Sequence, residues 1–423
     1  MKKRPGRALI PTLAAMLGIA ALPSIAAQPV VPQTLDVALA NTQVQQAMKA
    51  VDAAEDRATS TLIELASIIS PSGREFDRAA AVAARMREIG LVDVRLDGTP
   101  NVIGALRGTS GSALVFVTML DDLPAIESLQ RSGVRAQRDG DRIIGPATEI
   151  QSTVAAMLVA AEALAASGVR LRHDVIFAAV AREETGLQGM KALYEQLEDR
   201  ALAFVEVLGD GRQIDYNGAG AVAWWRIVAH GQEGHTADQT LPNVNHAIAQ
   251  AVDEVFALAQ RERTRSDETF INVGILRSGE AFNRRPGTGW FSLDVRSEDR
   301  AAVEEIAQKI AALLARVEAR TGVRLEMVPD FQSMGGEIAG AMTSPLARTA
   351  RGVSQHLGYE PEFNARGCCN MRVAIEGGSL AIALHGERGR ERGSAGEWAS
   401  VPAMMNTARH IVLLAATVAG ASG

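Results

Sequence analysis

Two adjacent carboxylates are the residues of this chain whose types and spacing most directly permit chemistry. Glu183 and Glu184 follow the apolar run 175–181, and the segment then breaks at Thr185 and Gly186. A β-branched, apolar run of this length is typical of a buried strand, and ligand sites cluster where such strands end. Two like charges repel unless a cation or a proton lies between them, so the pair predicts metal binding or proton transfer. The alternative is a solvated pair of glutamates at the mouth of a loop.

The elements that must position this pair alternate between strands and helices. Apolar runs predict strands over 92–96, 101–106, 113–120, 175–181, 203–208 and 379–384. Helical periodicity predicts helices over 46–69, 75–89, 153–166 and 189–197. Buried strands that alternate with helices indicate an α/β fold in which helices sandwich a mainly parallel sheet.

The pattern changes between 219 and 329. Helices are predicted there over 244–261 and 301–321, and strands over 222–229, 269–276, 290–296 and 323–328. This βαββαβ order is that of a ferredoxin-like, two-layer α+β unit. We therefore expect 219–329 to be inserted into a larger domain, which 28–218 and 330–423 form together. Such an insertion creates a cleft between domains, where ligand sites are usually found.

The N-terminus has the three parts of a secretory signal peptide. Basic residues lie within 2–7, an apolar stretch covers 13–22, and small residues stand at 24, 26 and 27. We expect residues 1–27 to be removed and the chain to be secreted or exported to a bacterial periplasm. The apolar stretch is short for a membrane span, and no later segment approaches that length.

Charge and cysteine content exclude two classes of protein. A formal charge of −6 without a basic block argues against a nucleic-acid partner. The only cysteines, Cys368 and Cys369, are adjacent. Adjacent cysteines rarely form a disulfide, so this is not a fold built on disulfides, and we expect two packed thiols.

Several segments in a fixed order carry a family resemblance. They are SPSGRE at 70–75, NVIG at 101–104, Asp121, REETG at 182–186, GHT at 234–236, Asn283, Pro286, DVRS at 294–297, and Glu397 with Trp398. Together they resemble the zinc-dependent exopeptidase and deacylase family that includes peptidase T, carboxypeptidase G and the aminoacylases. The resemblance covers nearly all of the chain after residue 27. It implies a hydrolase-like catalytic domain with an inserted dimerisation domain.

The resemblance implies a different role for each of the two glutamates. Glu183 would be the general base that takes a proton from a metal-bound water, and Glu184 would be a zinc ligand. Zinc lowers the pKa of its water to about 7, so a neighbouring carboxylate can accept that proton as the water attacks an amide. Asp121 would orient a histidine ligand two residues before it.

The rest of the implied metal shell departs from the family pattern. Met119 stands where the resemblance places that histidine, so Asp121 has no imidazole to orient. Leu208 stands at the position of an acidic ligand, and Gly393 stands at the position of the last histidine. Methionine does not replace imidazole as a zinc ligand. Both histidines and one carboxylate are therefore missing.

Four other residues are candidates for the vacated positions. Glu149 either bridges metals, as an aspartate does in the family, or stabilises the N-terminus of a helix. Glu206 and Asp210 lie near the lost acidic position, and Glu206 shares a strand face with Leu208. His385 either takes over as a ligand by rearrangement of its loop or is an ordinary loop histidine.

These candidates allow at most one metal ion. Glu149, Glu184 and either Glu206 or His385 could hold one zinc or another divalent cation, since a catalytic zinc normally has three protein ligands. Without any cation, the carboxylates would raise one another's pKa values or pair with an arginine such as Arg182.

The inserted domain keeps more of the family pattern. By resemblance, His235 would reach across a homodimer and polarise the substrate carbonyl, and Asn283 would contribute to the same pocket. Asn370 is retained at a further substrate-binding position. Arg284 and Arg285 replace apolar residues and add positive charge near the cleft.

Two functions follow from these observations. The first is an exported amidohydrolase that cleaves small peptides or N-acyl amino acids, with di-zinc activity weakened or lost. The second is a non-catalytic, dimeric binding protein that uses the same cleft for a peptide or an anionic ligand. Ligand loss favours missing or strongly reduced di-zinc chemistry, and the arginines at 284, 285, 388, 390 and 392 would suit anionic groups.

Overall fold

The protein consists of a large α/β domain and a smaller α+β unit. The structure, a computed structural model, describes residues 33–218, 220–365, 367 and 369–422. The predicted signal peptide, residues 1–27, lies outside the described residues, as does Cys368.

The helices and strands of the described residues alternate as the sequence predicts. The helices are α1 (Leu35–Ala40), α2 (Thr42–Asp52), α3 (Glu55–Ser67), α4 (Phe76–Ile89), α5 (Pro124–Arg131), α6 (Thr148–Ser167), α7 (Gln188–Leu197), α8 (Val244–Arg265), α9 (Arg300–Thr321), α10 (Pro345–His356), α11 (Met371–Glu376) and α12 (Val401–Val418). The strands are β1 (Val92–Leu96), β2 (Val102–Leu106), β3 (Ala113–Met119), β4 (Gln137–Asp139), β5 (Arg142–Ile144), β6 (Arg170–Leu171), β7 (Asp174–Val180), β8 (Ala201–Val207), β9 (Gln213–Asp215), β10 (Ala221–His230), β11 (Gly234–His235), β12 (Thr269–Asn272), β13 (Leu276–Ser278), β14 (Arg284–Arg285), β15 (Thr288–Ser297), β16 (Arg324–Ser333), β17 (Glu362–Asn364), β18 (Ala381–His385), β19 (Gly389–Arg390), β20 (Trp398–Ser400) and β21 (Ala421–Ser422).

An eight-stranded sheet forms the centre of the large domain. Its strand order is β1-β2-β7-β3-β8-β18-β9-β17, and the four central strands β7, β3, β8 and β18 run parallel. Every residue of β3 and β7 is buried, because helices cover both faces of the sheet. The predicted α/β fold is confirmed.

Side chains of the central strands alternate between two cores. Phe116 and Phe177 stack at 6.0 Å on the face that α2, α3, α6 and α12 cover. Val117 and Ala178 point to the opposite face, where α7 and α11 pack. The carboxyl ends of β3, β7 and β8 therefore meet at one edge, and this edge carries the residues after 119, 180 and 207.

An arginine buried in the core fixes the end of β3. Arg78 is fully buried and its guanidinium lies 2.7 Å from a carboxylate oxygen of Asp122. It also donates to the carbonyl oxygens of Leu65 and Leu120 at 3.1 and 2.7 Å. A buried charge is tolerated only when it is paired and hydrogen-bonded, and here both conditions are met.

The smaller unit has an antiparallel sheet with strand order β12-β15-β10-β16 and with β13 added beside β15. Two amphipathic helices, α8 and α9, pack against one face of it. This is the predicted ferredoxin-like order. The predicted strand over 269–276 is divided into β12 and β13, and the last strand runs to Ser333, beyond the expected domain boundary at 329.

Three further elements differ from the sequence predictions. The helix expected over 46–69 is two helices, α2 and α3, which separate at Ala53 and Ala54 without a glycine or proline. Helix α6 begins at Thr148 rather than 153, directly after Ala147 in a left-handed conformation (φ 70°). A small sheet of order β19-β20-β5-β4 was not expected, and its strand β19 lies within the loop 386–396.

Contrary to the expectation from the sequence, one later segment is long and apolar enough to cross a membrane: helix α6, alone among the helices of the described residues. In the structure it packs against α2, α3 and α12, and 78% of its most apolar window is buried. It is therefore the central core helix of the large domain.

We predict that one buried histidine makes the fold sensitive to acid. His410 in α12 is fully buried, and burial is the main cause that lowers its pKa from 6.5 to about 4, against a smaller opposing effect of the Asp210 backbone. The unfolded chain therefore binds a proton below pH 6.5 that the folded chain does not bind until about pH 4. The contribution of His410 to stability should therefore fall across this window by about 1.4 kcal/mol per pH unit.

Urea unfolding between pH 7 and pH 4 tests this prediction. The stability of His410→Asn relative to the parent protein should rise as the pH falls through this window, whereas that of His356→Gln, at an exposed histidine of α10, should not change. Equal slopes for His410→Asn and the parent protein would contradict it.

Candidate active site

Glu183 and Glu184 lie in a tight turn at the carboxyl end of β7. The turn contains two non-glycine residues with positive φ, Arg182 (55°) and Leu187 (57°). Asp121 follows β3 and accepts the backbone N–H groups of Glu183 and Glu184 at 3.1 and 2.9 Å. By resemblance Asp121 would orient a histidine, and Met119 leaves it no imidazole to orient; in the structure its carboxylate instead holds the backbone of the glutamate pair.

The landmark segment 70–75 supports the same turn. Glu75 is fully buried and accepts the backbone N–H of Arg182 at 3.0 Å. Ser70 donates its hydroxyl to the carbonyl of Leu120 at 3.0 Å. Through these contacts, the segment 70–75 joins the loop after β3 to the loop after β7, which carries the glutamate pair.

Burial and like charge raise the pKa values of two carboxyl groups here. Burial raises the pKa of Asp121 to about 6, although its hydrogen bonds to the Glu184 and Glu183 backbone oppose the shift. Burial also raises the pKa of Glu183 well above 4.5, followed by repulsion from Glu184, Asp121 and Glu206, while Arg392 lowers it. Glu183 thus keeps its proton to a higher pH than an ordinary glutamate, which suits a group that donates or exchanges a proton.

Two arginines provide the cations that face the other acidic residues. Arg392 Nη2 lies 2.6 Å from Glu184 Oε1 and its Nε lies 3.9 Å from Glu149 Oε2. Arg388 Nε lies 2.6 Å from Glu149 Oε1. Of the two roles considered from the sequence, the position of Glu149 in the first turn of α6 agrees with stabilisation of the helix N-terminus, although its side chain makes no capping hydrogen bond. Its carboxylate is held by guanidinium groups.

These arginines come from the loop 386–396, which we call the arginine loop. It includes β19, which pairs with β20, and the carbonyl of Arg388 accepts the N–H of Ser400 at 2.9 Å. Sequence reasoning assigned the arginines at 388 and 392 to an external anion, and named Arg182 as a possible internal partner. Instead, Arg388 and Arg392 pair internally, and Arg182 donates to Gln188 at 3.1 Å. The one feature of the sequence that could have indicated this internal pairing is the spacing of the arginines along the loop.

Glu397 anchors the arginine loop to helix α6. This fully buried carboxylate accepts the N–H of Glu149 at 3.0 Å and the N–H of Gly393 at 2.9 Å. Burial raises its pKa to about 7, partly opposed by these two backbone hydrogen bonds. The terminal Glu-Trp landmark is therefore a structural anchor, and Gly393, at the position of a lost histidine, contributes a backbone N–H.

Glu206 and Asn370 are joined to each other by hydrogen bonds. Glu206 accepts the backbone and side-chain N–H groups of Asn370 at 3.0 and 2.9 Å, and the N–H of Met371 at 2.8 Å. Its carboxylate therefore holds the start of α11, so the structure does not support Glu206 as a metal ligand. Asn370 serves this anchor rather than facing the cleft as a substrate-binding residue.

His385 and Asp210 also have partners outside the glutamate pair. His385 Nε2 lies 3.1 Å from Asp215 Oδ2, so its side chain pairs with the end of β9 instead of taking over a metal position. Asp210 lies 2.9 Å from Arg212 and accepts the N–H of Glu387 at 3.1 Å.

The donor groups that remain do not fit the divalent metal that the resemblance implies. Within the ranges described above, no group of three or more histidine, cysteine, aspartate or glutamate side chains is arranged to hold a metal ion. Glu149 and Glu184 face guanidinium groups, and Glu206 is saturated with N–H donors. The predicted single site made of Glu149, Glu184 and Glu206 or His385 is not assembled.

A cleft of about 220 Å³ opens between the glutamate pair and the smaller unit. The residues lining it are Glu183, Glu184, Gly186, Leu187, Val222, Trp224, Arg296, Phe331, Cys369 and Arg372. Trp224 and Phe331 form an aromatic wall, with ring centroids 4.8 Å apart. Asp294 accepts the indole N–H of Trp224 at 3.0 Å and pairs with Arg296 at 3.0 Å.

His235 and Asn283 lie near each other, but not in this cleft. His235 belongs to β11, which pairs with β14, and the N–H of Thr236 donates to the carbonyl of Asn283 at 3.0 Å. The His235 side chain is exposed and accepts the N–H of Ala237 at 3.2 Å. Neither residue lines the cleft of its own chain, so their contribution across a dimer stays a prediction. Arg284 pairs with Glu233.

The smaller unit matches a known domain family. Residues 217–321 match the peptidase dimerisation domain family. An uncharacterized hydrolase from Staphylococcus saprophyticus is 22% identical over 265 residues, which cover 60% of this chain and 68% of that protein.

Solved structures share the fold at low sequence identity. The aminopeptidase PepT from Bacillus cereus has a TM-score of 0.65 and 19% identity, with 86% of this chain and 99% of that chain covered. A tripeptidase from Staphylococcus aureus has a TM-score of 0.65 and 18% identity, covering 86% and 98%. A dinuclear metal-binding peptidase of the M20 family from Bacillus subtilis has a TM-score of 0.60 and 14% identity, covering 87% and 99%. The family resemblance is therefore confirmed: the chain has the fold of the M20 peptidases and carries their dimerisation domain.

Proposed function

We propose that this chain is an exported protein of the peptidase and amidohydrolase fold that binds small peptides or N-acyl amino acids in the cleft between its two domains. We further propose that its di-zinc hydrolytic activity is lost or strongly reduced. The observation that carries this proposal is the cleft itself, where Glu183 is retained beside an aromatic wall but Met119, Leu208 and Gly393 stand at positions of implied metal ligands.

The chemistry of the cleft suits an amide with an apolar side chain. Trp224 and Phe331 offer a surface against which such a side chain packs, and aromatic residues contribute strongly to binding. Glu183, whose pKa is raised by burial, can donate a hydrogen bond to a carbonyl or accept one from an amide N–H. The relatives named as an aminopeptidase and a tripeptidase support a peptide as the ligand.

A second candidate is an amide hydrolase that is still active. The observation in its favour is Glu183, a half-buried carboxyl group with a raised pKa that lines a cleft, which is the pattern of a proton-transfer residue. The hydrolases and peptidases among its relatives agree with this candidate. Metal-dependent activity would require Arg388 and Arg392 to leave Glu149 and Glu184.

We also propose that the protein is a homodimer, as the dimerisation domain suggests. The β12–β13 edge of the smaller sheet exposes three apolar side chains, those of Phe270, Ile275 and Leu276. An unpaired strand edge with exposed apolar side chains is a ready surface for another chain.

Metal content and turnover distinguish the two candidate functions. We expect the purified protein to retain no stoichiometric zinc or manganese after dialysis. Turnover of dipeptides and N-acetyl amino acids should not exceed that of Glu183→Gln, because the metal ligands are missing. Elemental analysis and a chromatographic hydrolysis assay measure both. Stoichiometric metal together with turnover that Glu183→Gln abolishes would establish the active hydrolase instead.

The aromatic wall should determine ligand affinity. Replacing Trp224 by alanine should weaken binding of N-acetyl-phenylalanine and Ala-Phe by about tenfold, because it removes a stacking surface worth roughly 1.4 kcal/mol. Titration calorimetry measures the change. The matched control is Trp290→Ala, on the neighbouring strand of the same sheet but outside the lining of the cleft. Equal losses in both variants would argue against this cleft as the site.

The β12–β13 edge should hold the dimer together. Leu276→Glu should convert the dimer to monomer in light scattering, because a charge is then buried at the interface. Val328→Glu, at a partly exposed position of β16, should leave the mass unchanged. A monomeric parent protein, or a dimer that only Val328→Glu disrupts, would show that this edge is not the interface.

A further inference from the structure

We propose that Arg388 and Arg392 are built-in cations beside the cleft, which supply to Glu149 and Glu184 the positive charge that divalent metals would otherwise provide. The carboxylates of Glu149 and Glu184 then need no metal ion to balance their charge. This inference goes beyond the proposed function, because it depends neither on the ligand of the cleft nor on whether that ligand is hydrolysed.

The two ion pairs have the geometry of charge-assisted hydrogen bonds. The closest distances, Arg388 Nε to Glu149 Oε1 and Arg392 Nη2 to Glu184 Oε1, are both 2.6 Å. The Glu149 side chain is only 8% exposed, so its charge needs a partner inside the protein. The arginine side chains are 20% and 26% exposed, and both reach inward from the arginine loop.

Each arginine also contacts a residue that stands where a metal ligand is missing. Arg388 Nη1 donates to the carbonyl of Leu208 at 2.7 Å. Arg392 Nη2 lies 3.8 Å from the sulfur of Met119. Leu208 and Met119 occupy the implied positions of an acidic and a histidine ligand. The lost ligands and the new cations therefore coincide in space, which two unrelated surface arginines would not do.

The charge balance explains why the arginines exclude a metal. One guanidinium faces each of Glu149 and Glu184, so an added divalent ion would meet fixed positive charge and fewer free carboxylate oxygens. Burial disfavours the charge of Arg392, yet Glu184, Glu149 and Glu183 raise its pKa above the ordinary value. The guanidinium is therefore a permanent cation, unlike a metal, whose occupancy depends on its concentration.

Thermal unfolding with added zinc or EDTA tests the inference on the purified protein. The parent protein should melt at the same temperature with zinc chloride, with EDTA and without either. In Arg392→Met, Glu184 loses its cation, so the melting temperature should fall by roughly 3–6 °C. Zinc chloride should then recover part of that loss, because Glu184 is free to bind it. Arg390→Met, at an exposed arginine of the same loop, should behave like the parent protein.

The double variant Arg392→Met with Glu184→Gln separates charge from packing. Removing the unpaired carboxylate should restore most of the lost melting temperature and abolish the response to zinc. A double variant as unstable as Arg392→Met, or one that fails to fold, would show that Arg392 acts through packing and would overturn the inference. Stabilisation of the parent protein by zinc, to the extent seen in Arg392→Met, would overturn it as well.

Discussion

The arrangement of the large domain depends on how the negative charge at the carboxyl ends of its parallel strands is balanced. Glu149, Glu183 and Glu184 converge there, and like charges at short range in a partly buried site are unfavourable without a cation or a proton. The guanidinium groups of Arg388 and Arg392 balance the charges of Glu149 and Glu184, and the raised pKa of Glu183 favours its neutral form. The arginine loop therefore supplies the positive charge beside these carboxylates, although it lies far away along the chain.

A second set of buried carboxylates is stabilised by backbone N–H groups instead of by cations. Asp121, Glu206 and Glu397 each accept backbone N–H groups, at the glutamate pair, the start of α11 and the start of α6 respectively. A buried carboxylate that satisfies several backbone donors fixes the position of a turn or a helix. These residues thus keep a structural purpose when metal ligands beside them are replaced, which accounts for acidic residues that would otherwise suggest catalysis.

The parts of the structure that the sequence predicts are those with a periodic signal. The central strands are continuous apolar runs because both faces of the sheet are covered, and α8 and α9 show the helical period because one face of each is buried. No periodic pattern in the sequence indicates which residues Arg388 and Arg392 contact. Long side chains on a loop can reach many positions, and their contacts follow from the path of the loop, which the short strands β19 and β20 determine. The break between α2 and α3 likewise lacks a glycine or proline to mark it.

The retention of Glu183 fits this electrostatic scheme better than it fits a remnant of lost chemistry. Of the paired glutamates, Glu184 faces Arg392 directly, whereas the charge of Glu183 is disfavoured first by burial and then by three neighbouring carboxylates. When it holds its proton, this carboxyl group is neutral and adds no charge that the arginines must offset. In that form it also presents a donor and an acceptor to the cleft. The raised pKa of Glu183 and the guanidinium charge of Arg392 thus both reduce the net negative charge at this end of the sheet.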